Sequence, residues 1–126
     1  MDTVTQVHVD SVVTHLFELQ FLTKINHFNT ELFARHKATD EFYVKITNHI
    51  DRFVEVLIGR YNIKPLINNI NVDNKYLSDN GIVEYFKISR KILTKLDKIF
   101  KDTSLLTIRD EIIADINNTL YLFNLK

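Results

Sequence analysis

Three short stretches decide how this 126-residue chain reads: Asn26-His27-Phe28-Asn29, His36-Lys37-Ala38-Thr39-Asp40 and Asp51-Arg52-Phe53-Val54-Glu55. His36 and Asp40 stand four apart, Asp51 and Glu55 four apart, and Asp40 and Asp51 eleven apart. Eleven residues make about three helical turns, so one helix carrying all four residues presents them on one face. Phe42, Ile46, Ile50, Phe53, Val54, Leu57 and Ile58 flank this stripe, which predicts that it lies on the apolar side of its helix. A row of imidazoles and carboxylates turned toward a core or an interface is destabilising unless something neutralises it, and a bound cation does so.

Outward from this stripe, composition bounds the answer. With 45% hydrophobic residues in 126, residues 1–126 are expected to form a single domain. Two Gly and one Pro leave few breakers, and the chain reads as all-α. Lys plus Arg equals Asp plus Glu at sixteen each, and the first ten residues hold no Lys or Arg, so DNA binding is not expected. Cysteine is absent, which excludes disulfides and thiolate metal sites. No apolar run has the length of a membrane span, and the start has no signal-peptide pattern; a cytoplasmic protein is expected.

The apolar spacing predicts four helices. Helix A runs from about Asp10 to Thr30, capped by Asp10 or Ser11, with His27 near its C-terminal end. Glu31 to Lys37 form a short connection, and helix B opens at Thr39, Asp40 or Glu41 and ends at Gly59 or Tyr61. Asn62 to Ser78 holds the only proline, Pro65, and an Asn-rich run; it is the longest weakly patterned segment and is expected to cross the molecule. Ser78 is expected to cap helix C, whose buried stripe includes Ile82, Val83, Phe86, Ile88, Ile92, Leu93, Leu96, Ile99 and Phe100. Lys101 to Ser104 break the chain, and helix D carries Leu105 to Phe123. Two short connections and one long one give a four-helix bundle with a single long crossover between helices B and C, the ferritin-like connectivity.

His27-Phe28-Asn29, His36-x-x-x-Asp40 and Asp51-x-x-x-Glu55 together resemble the ferroxidase motif of the Dps family of mini-ferritins. Asp115-Ile-Asn-Asn-Thr-Leu-Tyr-Leu-Phe123 is similar to the closing segment of that family, and the likeness covers about Thr14 to Lys126. The resemblance implies an iron site in which His27 and His36 supply nitrogens, Asp51 and Glu55 the principal carboxylates and Asp40 a further oxygen. It also implies Fe²⁺ oxidation by peroxide or dioxygen, with ferric iron stored inside a hollow homo-oligomer, a dodecameric shell built from two-fold dimers. The chain departs from the pattern in four ways: a connection between His27 and His36 about three residues shorter, Phe28 in place of a frequent Trp, no obvious extra helix between B and C, and no basic N-terminal tail.

A single helix B cannot close such a site, because Asp40 and Asp51 are roughly 16 Å apart along it. Two helix B segments packed about a two-fold axis would bring His36 and Asp40 of one chain to Asp51 and Glu55 of the other. Outside this register, His8, His15 and His49 read as surface or packing residues. Asp110, Glu111 and Asp115 could line an iron-entry pore, although the first two read more simply as surface charges. No Glu-x-x-His pair of the intrachain di-iron type occurs, nor a phosphate loop or a recognisable nucleophile setting. The alternative reading is a non-catalytic four-helix structural or assembly protein with a residual or structural metal site.

Overall fold

Thr5 and His8 start the first helix by capping each other. The Thr5 side chain accepts from the His8 backbone N–H at 3.3 Å, and His8 Nδ1 accepts from the Thr5 N–H at 3.1 Å, a capping box with histidine in the usual Glu position. In this computed structural model, which describes residues 3–125, the helices are α1 (Gln6–Asn29), α2 (Phe33–Tyr61), α3 (Asp79–Thr94) and α4 (Thr103–Phe123). Short 3-10 turns occupy Asn74–Tyr76 and Lys95–Lys98, and no strand occurs among the described residues. The protein is therefore an all-α four-helix bundle.

Several boundaries correct the sequence expectations. α1 begins four residues before Asp10, whose carboxylate instead accepts from Gln6 Nε2 and the Leu66 N–H. α2 begins at Phe33 with no side-chain cap, which places His36 inside the helix rather than in the connection. Its end coincides with Tyr61, where Asn62 takes up the left-handed conformation (φ 56°) that short polar side chains tolerate. Ser78 caps α3 as expected, its Oγ accepting from the Gly81 N–H at 3.0 Å. α4 starts at Thr103 because Asp102 caps it through the Leu105 N–H, while the other Asp102 oxygen pairs with Arg60 Nε at 3.2 Å.

α2 packs most extensively on α1 and α4. The core is built from fully buried Leu16, Leu19, Phe42, Phe53, Phe86, Phe100, Leu105 and Ile112, each contributing about 1.5–3 kcal/mol by leaving water. Phe86 joins the layers, its ring 4.7 Å from Phe42 and 5.5 Å from Phe123. Ile88 and Ile92, expected in the buried stripe of α3, are exposed.

The link between α2 and α3 lies against α1. Lys64 O accepts from Gln6 Nε2 and the Leu66 N–H donates to Asp10, both near the start of α1. Leu77 O accepts from Asn26 Nδ2 near its end. At that same end Arg35 of α2 donates to Phe123 O of α4 and to Asp79 O of α3, and its guanidinium lies 4.3 Å from the Phe123 ring centroid.

Candidate metal centre

A helix C-terminus leaves its last carbonyls without intrahelical partners, and three residues separate the end of α1 from the start of α2. Thr30 tightens this link: its N–H donates to Asn26 O at 2.8 Å, and its hydroxyl accepts from the Leu32 N–H. The turn places His27, in the last turn of α1, beside His36, in the first turns of α2. His27 Nδ1 lies 2.7 Å from His36 O, and His36 Nδ1 lies 2.9 Å from His27 O. The rings stack with centroids 3.9 Å apart and planes 19° apart.

A carbonyl only accepts, so both Nδ1 atoms carry hydrogen, and in each neutral ring Nε2 keeps the free lone pair. This is the tautomer of a metal-binding histidine whose other nitrogen donates to the backbone. Thr39 completes the clamp. Its buried Oγ1 donates to Arg35 O at 2.8 Å and sits 3.2 Å from His27 Nδ1, where it accepts. Thr39 enters the sequence reading only as a start of helix B, and Arg35 not at all; the signal for the clamp was the position of Thr39, three residues after His36 on the same helix.

The carboxylates are elsewhere. Asp40, Asp51 and Glu55 are all exposed, as is His36, whereas His27 is 7% exposed. The stripe is thus on the solvent side of α2 and not on its apolar side. Asp40 is two residues from Phe42, and Asp51 and Glu55 are each two residues from Phe53; two residues correspond to about 200° of rotation, which puts each carboxylate opposite a buried ring. Asp51 lies roughly 16 Å along the helix from Asp40. The chain brings His27 and His36 together and leaves Asp51 and Glu55 apart from them. Among the described residues no group of three or more His, Asp or Glu side chains gathers to hold a metal.

Exposed apolar residues lie on the same two helices and on the link between them. Phe28 is 68% exposed, Phe33 77% and Val44 55%, with Phe21 and Leu32 also exposed. Lys24 bridges α1 to α2 on this side, its Nζ 5.2 Å from the Phe28 centroid and 4.6 Å from that of Tyr43.

The remaining histidines are otherwise engaged. His49 Nε2 is 2.8 Å from Asp115 and its Nδ1 3.6 Å from Glu111, while Asp110 pairs with Arg109 at 2.6 Å. His15 is buried between α1 and α3. Its Nε2 lies 2.9 Å from Ser89 Oγ, its Nδ1 3.2 Å from Tyr85 OH, and burial pushes its pKa down to about 4. Burial also pushes the Tyr85 phenol upward.

A helical bundle with a paired-histidine turn defines the class of protein at hand. Residues 27–123 match a family of unknown function, DUF5856, and the chain belongs to that family. The matched segment opens on His27 and contains His36, Asp40, Asp51 and Glu55. Neither the curated proteins nor the solved structures yield a match.

Proposed function

We propose that this protein is a Dps-like ferroxidase that oxidises Fe²⁺ with peroxide or dioxygen at a site shared between two chains and stores the ferric product inside a hollow oligomer. The observation that carries the reading is the reciprocal His27–His36 clamp, which leaves Nε2 of both stacked rings free for a ligand, on a chain whose second helix also exposes Asp40, Asp51 and Glu55. Imidazole with carboxylate suits redox-active iron, and the positions these side chains leave open admit the oxidant. Each Fe²⁺ gives up one electron, and peroxide takes two electrons and two protons to become water.

The ferritin-like connectivity, with the B–C segment crossing the bundle, belongs to the same proposal. It is supported by the ties of that segment to the start of α1 through Asp10 and to its end through Asn26. The two-fold pairing is supported by exposure. An acidic row on α2 and exposed Phe28, Phe33 and Val44 on the α1–α2 side are what a second copy would cover, bringing its Asp51 and Glu55 to the histidine pair.

Addition of Fe²⁺ and peroxide to the purified protein tests the proposal, read as ferric oxide absorbance. The expected result is oxidation well above the protein-free rate from an assembly whose light-scattering mass corresponds to about a dozen chains. A monomer or dimer that oxidises iron no faster than buffer would leave a structural four-helix protein in its place.

A further inference from the structure

A second feature lies on another side of the bundle, away from the histidine pair. A cleft of about 790 Å³ opens between α1, the 62–73 segment and the 3-10 turn that follows α3. Val7 and Leu66 line it with 74% and 60% of their surfaces exposed, together with exposed Ile92 and partly covered Ile99. Four apolar side chains, from α1, the 62–73 segment, α3 and the residue after the 3-10 turn, thus converge on one space, the usual makeup of a small-molecule site. The 62–73 segment has no secondary structure yet is held in place by Gln6 and Asp10, so the cleft has a fixed wall.

Its polar groups are unequal. His15 has both ring nitrogens engaged by Ser89 and Tyr85, and Asp10 is engaged by Gln6 and Leu66. Lys95 is exposed and keeps its hydration. Glu18 differs: it is half-buried and has no Lys or Arg within ion-pair distance among the described residues. Its carboxyl is held above the ordinary range by burial. A partly desolvated carboxylate beside an apolar wall is completed by a cation that carries its own apolar body.

We infer that this cleft binds an organic ammonium with an apolar tail, its charged head on Glu18 and its tail running toward Leu66 and Ile92. The inference does not depend on iron oxidation. Hexylammonium, hexanol and hexanoate, equal in chain length, serve as probes in amide NMR titrations of the intact protein at millimolar concentration. Hexylammonium should shift the amides of Glu18, Leu66 and Ile92 in a saturable manner, with hexanol weaker and hexanoate weakest. Glu18→Gln, checked for folding by circular dichroism, should bind hexylammonium about tenfold more weakly, the scale of one charged hydrogen bond, while leaving hexanol unaffected. Ile92→Asn, a neutral polar change on an exposed site, should weaken all three. No saturable shift at the cleft, or equal binding of amine and alcohol by the native protein, would overturn the inference. So would undiminished amine binding by a folded Glu18→Gln variant.

Discussion

His27 and His36 each donate Nδ1–H to the other's backbone carbonyl, at 2.7 and 2.9 Å. The pair joins the C-terminus of α1 to the first turns of α2 by two side-chain-to-backbone bonds, and the same two bonds fix which ring nitrogens remain for a ligand. The two roles are inseparable: anything that loosens the turn misdirects the lone pairs.

Thr39→Val isolates that coupling. The variant keeps the shape of the side chain but removes the second acceptor of His27 Nδ1–H, beside His36 O, and the donor to Arg35 O. Stability should fall by about 1–2 kcal/mol in urea unfolding. Iron affinity should fall about tenfold or more, as when a hydrogen bond orienting a metal ligand is lost. A stability loss with unchanged iron affinity would show that the clamp is only structural.

The two glycines should respond oppositely to alanine. A Cβ at Gly81 would press into Lys75 O and come within 2.7 Å of Tyr76 Cα, so Gly81→Ala must push the 3-10 turn off α3. A loss of about 2–3 kcal/mol is expected. Gly59 meets nothing within 4 Å, and alanine there should raise stability by about 0.5–1 kcal/mol through helix propensity. Thermal unfolding of the two variants checks both signs.

His15 gives an acid-dependent term. Its folded pKa is depressed to about 4 from 6.5, so the unfolded chain takes up the proton first. Stability is therefore fully present above pH about 6.5 and is lost as pH falls toward about 4, a change on the order of 3 kcal/mol. Glu18, one turn along α1 with its carboxyl raised, opposes part of this. His15→Gln should be less stable at pH 7 but show a shallower decline between pH 6.5 and 4; an identical slope would contradict the assignment.

DNA binding is not expected. With sixteen basic and sixteen acidic residues the chain has zero formal net charge, and counterion release at a basic surface drives duplex association. A gel shift at about 0.1 M salt should show no retardation.

Much of the helical layout was legible from residue patterns. Ser78 announced α3, and the absence of apolar periodicity after Asn62 announced the long link. The start of α1 was hidden because His8 stands where a capping box ordinarily has Glu or Gln, so Thr5 did not stand out. The start of α2 was hidden because Leu32 offers no side-chain cap; Phe33 enters the helix on the strength of the turn that follows α1. The facing of the acidic row was misread for a geometric reason. Phe42 and Phe53 are neighbours of Asp40, Asp51 and Glu55 in sequence but lie across the helix from them. The pairing of His27 with His36 could be placed near one turn from the sequence, whereas their mutual hydrogen bonds depend on where two helix ends meet.

The shared site is the central claim, and subunit complementation tests it most directly. His27→Ala with His36→Ala removes both imidazoles, and Asp51→Asn with Glu55→Gln removes both distant carboxylates. Each double variant alone should be inactive. Refolded together in equal amounts, half of the dimers are mixed, and each mixed dimer regains one of two sites, giving about a quarter of native ferroxidase activity. Well-folded mixed dimers with no recovered activity would contradict a site built from two chains.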